Sequence, residues 1–170
     1  MSDERRIVTI LFADIAGSTA LGEALDPEDM RALLARYYGL AREVIEAHGG
    51  TVEKFIGDAV MAIFGLPRAH GDDAERALAA TEALRDQLRA EPALAQIELR
   101  FGVSTGEVVA SRERSTGGEG DFLVTGDAVN LAARLQQAAQ VGEILCSERT
   151  ARAAARRFAF GPPLELQLRG

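Results

Sequence analysis

Residues 7–15, Ile-Val-Thr-Ile-Leu-Phe-Ala-Asp-Ile, form an apolar, β-branched run long enough for a buried central strand. It ends in Asp14-Ile15-Ala16-Gly17-Ser18-Thr19, which reads as a polar, glycine-bearing turn. From Asp26 the period changes. Asp26-Pro27-Glu28-Asp29 offers a cap residue, a proline suited to a first helical turn, and acids that favour the positive end of a helix dipole. Met30, Leu33, Leu34, Tyr37, Leu40, Ala41, Val44 and Ile45 then recur at helical spacing until His48-Gly49-Gly50 stops the helix. Two short strand-like runs follow, Thr51 to Ile56 and Ala59 to Phe64. Gly57-Asp58 between them is a tight-hairpin dipeptide.

A second long helix, rich in Ala and Leu, is expected from about Asp72 to Ala90. Leu99 to Ser104 and Val108 to Ser111 read as another strand pair around Gly106. Arg112 to Asp121 is polar and glycine-rich, the pattern of a mobile loop. Asp127 to Ala138 predicts a third helix, Ile144-Leu145-Cys146 a short strand, and Ser147 to Ala153 a short helix. The tail from Phe158 reads as strand again. This order predicts an α+β fold with helices packed on one mainly antiparallel sheet. No repeat or linker divides the chain, so residues 1–170 are expected to form a single domain. Leu164 to Gly170 looks like a strand cut short, which predicts a domain truncated before its last strand.

Composition excludes several classes. A single cysteine, Cys146, rules out an internal disulfide framework and fits a reducing compartment. No apolar run reaches the roughly 18 residues of a membrane span, and Met1 to Arg6 is too polar for a signal peptide. A cytoplasmic location without direct membrane contact is therefore expected. The net charge of −7 and the lack of a basic cluster argue against nucleic-acid binding. An acidic domain can still hold a polyanion if metal ions and a few placed cations shield the phosphates. His48 and His70 lack the partner spacing of a zinc site and read as loop or cap residues.

Against that background four groups of residues stand out. Asp14 ends an otherwise apolar strand, where an unpaired carboxylate is expensive to bury. It either caps the following turn or ligates a metal. Asp58 sits in the hairpin turn, an ordinary structural position taken alone. If that hairpin pairs beside the Asp14 strand, both carboxylates face one point and suit Mg²⁺ or Mn²⁺. Gly17, Ser18 and Thr19 could then offer backbone N–H groups to phosphates. Asn130 and Arg134, four apart on one helix face, form either a solvated stripe or a phosphate-directed pair. Lys54 shares a side with residues 56 and 58 if its strand stays regular. It is either solvated or placed to donate to a purine nitrogen.

Four ordered blocks carry a resemblance: LFADIAGST at 11–19, EKFIGDAVMAIFG at 53–65, LRFGVSTGEV at 99–108 and FLVTGDAVNLAARL at 122–135. Across nearly the whole chain the sequence resembles the class III adenylyl and guanylyl cyclase catalytic domain. That resemblance implies a ferredoxin-like βαββαβ core with additional strands and helices. It implies two Mg²⁺ or Mn²⁺ ions per site, held by Asp14, Asp58 and the backbone carbonyl of Ile15. It implies adenine selection by Lys54, a ribose-orienting Asn130, a transition-state Arg134 and a phosphate-contacting Arg100. It also implies a head-to-tail homodimer, in which metals of one subunit meet Lys54, Asn130 and Arg134 of the other. Fused regulatory domains in a longer protein are expected as well.

The implied reaction is intramolecular: the ribose 3′-hydroxyl of ATP attacks the α-phosphorus, giving 3′,5′-cyclic AMP and releasing pyrophosphate. Two positions depart from the family pattern. Leu123 stands where adenylyl cyclases usually carry a second base-selecting Asp or Thr, and it cannot hydrogen-bond a purine. Arg169, followed by Gly170, stands where a triphosphate-binding Lys-Gly is usual, and Arg binds with a different geometry. An alternative reading is a catalytically weak regulatory module that dimerises or senses nucleotides. A diguanylate cyclase is disfavoured, because Phe55-Ile56-Gly57-Asp58-Ala59 replaces that family's Gly-Gly-acid-Glu-Phe hairpin.

Overall fold

A computed structural model describes residues 3–112 and 122–166. The first strand, β1 (Glu4–Ile15), leads through α1 (Ser18–Ala24) into the long helix α2 (Pro27–Ala47). The hairpin β2 (Thr51–Ile56) and β3 (Ala59–Phe64) precedes α3 (Asp73–Ala90) and β4 (Leu99–Arg112). Then come β5 (Phe122–Thr125), α4 (Asp127–Ala138), β6 (Ile144–Cys146) and α5 (Glu148–Ala153). The sheet runs β2-β3-β1-β4-β5, and the short β6 lies parallel to β4. Every other pairing is antiparallel. The succession β1-α2-β2-β3-α3-β4, with strand order β2-β3-β1-β4, is the expected ferredoxin-like core within an α+β fold.

Two cores explain why β1 is almost wholly apolar from Val8 to Ala13. On one face Leu11, Ala13 and Ile15 pack against α2 and α3 through Tyr37, Ala41, Ile45 and Leu84. On the other, Val8, Ile10 and Phe12 meet Ala128 and Ala132 of α4. Strand side chains alternate between faces, so a strand covered on both has no solvent positions to fill with polar residues. Burying each Val, Leu, Ile or Phe side chain contributes roughly 1.5–3 kcal/mol relative to exposure.

Three expectations are corrected, and one strand is added. The segment 99–111 is not a strand pair; β4 is one strand that pairs with β1 from Glu4↔Ala110 to Ile15↔Leu99. Gly106 continues that strand, and a Cβ there would press on the Ala128 Cβ at 3.1 Å, so the glycine serves helix contact rather than a turn. The turn after Asp14 closes into α1, entered through left-handed Gly17. Phe122–Thr125 forms β5, four residues that are too few to show a period. The tail from Phe158 to Leu166 forms no strand; Pro162 and Pro163 remove two ladder donors in succession. Asp26 precedes α2 as expected, although its backbone carbonyl, not its side chain, accepts from the Met30 N–H. The loop expected over Arg112 to Asp121 and the residues from 167 onward lie outside the described residues, apart from the strand end at Arg112.

Candidate active site

Asp14 pairs with Ala59 across the β1–β3 ladder, so the hairpin residue before Ala59, Asp58, comes beside it. Asp58 lies close enough to act on the Asp14 carboxyl. Burial pushes the Asp14 carboxyl up to about 6 from its ordinary 3.8, and the hydrogen bond to Asp58 and its charge add to that rise. The Ile15 backbone N–H and the Gln136 amide act in the opposite direction, by bonding the ionised form. Asp14 Oδ1 and Asp58 Oδ2 are both buried without a hydrogen-bond partner among the described residues. The expected pair therefore converges, and Asp14 makes no cap bond to the following turn: its Oδ1 has no partner among the described residues and its Oδ2 accepts from Gln136.

Two buried, adjacent carboxylate oxygens without partners form a hard-oxygen donor set that fits Mg²⁺ or Mn²⁺. Among the described residues no cluster of three or more His, Cys, Asp or Glu surrounds a common point. Two side chains leave positions for backbone carbonyls, water and phosphate oxygens, the usual manner in which Mg²⁺ is held. Gly17, Ser18 and Thr19 follow directly, where β1 turns into α1. The first N–H groups of a helix have no partners within it.

Helix α4 closes the other side. Gly102 of β4 is the reason it comes so near: a Cβ there would lie 2.2 Å from the Ala132 carbonyl oxygen and 2.4 Å from the Gln136 nitrogen. Gln136 is buried and donates its side-chain amide to Asp14 Oδ2 at 3.4 Å. Arg100 stands directly opposite Asp14 in the β1–β4 ladder, on the face that α4 covers. Its Nε is buried without a hydrogen bond, and it forms no ion pair among the described residues.

Among the described residues no hydrogen bond or ion pair joins Lys54, Asn130 or Arg134 to the aspartates of the same chain. Lys54 is exposed on the edge strand β2, next to a register shift, and pairs with Glu53 at 3.5 Å. That shift lies between Val52 and Lys54; from Lys54 to Ile56 the pairing is regular, so Lys54 and Ile56 share a side as expected. Asn130 is exposed and Arg134 half-buried on α4, and neither side chain has a polar partner among the described residues. Leu123 is 40% exposed on β5. Arg169 lies outside the described residues.

Three further residues shape the site: Tyr37 and Tyr38, which the sequence offered as either core or dimer-cleft residues, and Gln136, which it did not single out. Tyr38 of α2 donates its hydroxyl to the Gly57 carbonyl and packs its ring on Phe55 at 4.3 Å, pinning the turn that carries Asp58. Tyr37 is fully buried, and burial, helped by the charges of Asp14, Tyr38 and Asp58, holds its phenol firmly protonated. Gln136 had a signal: it is a polar residue on the stripe Ala128, Ala132, Leu135 that packs against the sheet.

The family model described as the adenylate and guanylate cyclase catalytic domain matches residues 2–170. The chain belongs to this cyclase family. The cyclase domain is 35% identical over 142 residues to adenylate cyclase 1 of Rhizobium meliloti, covering 78% of this chain and 21% of that protein. The crystal structure of the adenylyl cyclase CyaB from P. aeruginosa superposes with a TM-score of 0.84 at 31% identity, covering 92% of this chain and 84% of that one. The guanylyl cyclase Cya2 gives 0.77 at 35% identity, covering 91% and 81%. This cyclase domain spans between 21% and 31% of the length of the curated relatives it matches. Among the described residues no helix is long and apolar enough to cross a membrane.

Proposed function

We propose that the domain is an adenylyl cyclase that converts ATP to 3′,5′-cyclic AMP and pyrophosphate in a head-to-tail dimer of identical chains. The observation that carries this reading is the apposition of Asp14 and Asp58, each with a buried, unpartnered carboxylate oxygen. Asp14, Asp58 and the Ile15 carbonyl would hold two Mg²⁺ or Mn²⁺ ions. Bound there, the ions supply Lewis acidity toward the ribose 3′-hydroxyl and neutralise triphosphate charge.

The chain's own residues position and stabilise. Backbone N–H groups from Gly17, Ser18 and Thr19 receive phosphate oxygens, and Arg100 adds a cation beside Asp14. Arg169 serves the triphosphate from the chain's final residues. Asn130 and Arg134 of the second copy orient the ribose and stabilise charge that develops on the α-phosphorus. Lys54 of the second copy donates to the adenine ring, beside an apolar Leu123. The shared site is supported by the absence, among the described residues, of a contact from Lys54, Asn130 or Arg134 to the aspartates of the same chain.

The ATP preference rests on Lys54, since Leu123 offers no hydrogen bond to either purine. The experiment incubates the purified domain with ATP or GTP and Mn²⁺ or Mg²⁺, and measures cyclic nucleotide. Cyclic AMP forming faster than cyclic GMP supports the reading. Faster cyclic GMP overturns the base preference alone. A folded, dimeric domain that yields neither product overturns the catalytic reading in favour of a regulatory module.

A further inference from the structure

We infer that Gln136 is a positioning residue for the aspartate pair: its side-chain amide holds one Asp14 oxygen and leaves the other free for a divalent cation. This rests on the metal-site reading of Asp14 and Asp58.

The geometry is specific. Asp14 has two carboxylate oxygens in different circumstances. Oδ2 accepts from Gln136 Nε2 at 3.4 Å, while Oδ1 is buried and has no partner among the described residues. An ionised carboxylate only accepts, so the amide edge turned toward it is the nitrogen. Gln136 is only 6% exposed, on a helix face otherwise made of Ala128, Ala132 and Leu135. A buried amide costs free energy unless it is hydrogen-bonded, and Asp14 is the partner that its side chain finds.

The backbone is shaped to permit the reach. Gly102 pairs with Phe12, two residues before Asp14 on β1, and lets the last turns of α4 touch β4 where no side chain would fit. A neutral donor suits the position, because a third carboxylate would add charge to two that already crowd each other. The same helix carries Asn130 and Arg134. One rigid element thus sets Asp14 in its own chain and presents the residues proposed to serve the second copy.

The test titrates Mn²⁺ into the nucleotide-free domain and reads free Mn²⁺ by electron paramagnetic resonance. Four proteins are compared: the parent, Asp14→Asn, Gln136→Met and Ser104→Ala. Ser104 Oγ donates to the Ala128 carbonyl, so its loss loosens the other end of α4 without touching Asp14. Gln136→Met keeps length and shape but cannot donate. It is expected to weaken Mn²⁺ binding about tenfold, the effect typical of removing a partner that orients a metal ligand. Ser104→Ala is expected to bind within about twofold of the parent. Should Gln136→Met not fold, Gln136→Asn, too short to reach Asp14, is read in the same way. Parental affinity in the Gln136 variant, with binding lost in Asp14→Asn, overturns this inference alone. An equal loss in Ser104→Ala also overturns it, since helix docking in general would then be responsible. A parent that binds Mn²⁺ no better than Asp14→Asn sinks the metal site and this inference together.

Discussion

Asp58 reaches Asp14 because β3 begins opposite the last polar residue of β1: Ala59 is the ladder partner of Asp14, and Asp58 immediately precedes it. Tyr38 fixes the same turn from α2 by bonding the Gly57 carbonyl. Burial first, and the neighbouring Asp58 after it, make the Asp14 carboxylate costly to ionise without a cation.

Neutralising either member should therefore separate catalysis from stability. Asp14→Asn and Asp58→Asn are expected to lower turnover by about three orders of magnitude, the loss of several kcal/mol of metal-borne stabilisation. Without metal, both variants should melt at or above the parental temperature, because a crowded buried charge has been removed. Circular dichroism melts in chelator, alongside cyclic nucleotide assays, check both parts. A variant that loses activity only by unfolding would contradict the assignment.

The pH dependence has a defined sign. Asp14 binds its proton more tightly in the folded chain, with its pKa raised to about 6 from 3.8. Its contribution to the stability of the metal-free domain is thus complete below the unfolded value and is lost as pH rises through about 6. Other carboxylates also titrate, so the measurement is the difference in melting temperature between parent and Asp14→Asn. That difference should move against the parent as pH rises across this window. Mn²⁺ affinity should climb over the same range, since cation and proton compete for the carboxylate.

Lys54 is exposed and free to meet a base from another chain, apart from its weak pairing with Glu53. Lys54→Ala is expected to reduce the ratio of cyclic AMP to cyclic GMP formation about tenfold, the worth of one hydrogen bond from a charged donor. Unchanged base preference would shift the burden of selection away from this lysine.

Shared sites make a mixing prediction. Chains carrying Asp58→Ala and chains carrying Arg134→Ala should each be nearly inactive alone. Mixed into heterodimers, they should recover activity, because one of the two sites then has both its aspartates and its arginine. Heterodimers verified by differential tagging that stay inactive would exclude composite sites.

Gly102→Ala tests the packing that brings α4 to the site. The added Cβ would lie 2.2 Å from the Ala132 carbonyl, a backbone atom that cannot swing aside. A destabilisation of about 3 kcal/mol or more is expected, at the upper end of overpacking effects, read as a fall in urea midpoint. Gly22→Ala, where an added Cβ meets nothing within 4 Å on the exposed α1, serves as the contrast.

Local pattern was enough to specify the central strand, the long helices, the Gly57-Asp58 hairpin and the residues able to carry chemistry. Those features depend on nearest neighbours: periodicity, caps and turn dipeptides act within a few residues. Asp14 was legible because a carboxylate ending an apolar strand demands a partner, and Asp58 because the hairpin turn that carries it could pair beside that strand; the roles of Asn130 and Arg134 rest on the family resemblance. Tertiary structure decided what depends on pairing between distant segments. It joined two apparent strands into β4, since the register with β1 outweighs a glycine that looks like a break. It turned Gly102 from a strand residue into the gap through which α4 approaches Asp14. It recruited Gln136 and Tyr38, whose roles exist only once α4 and α2 have docked beside the two aspartates.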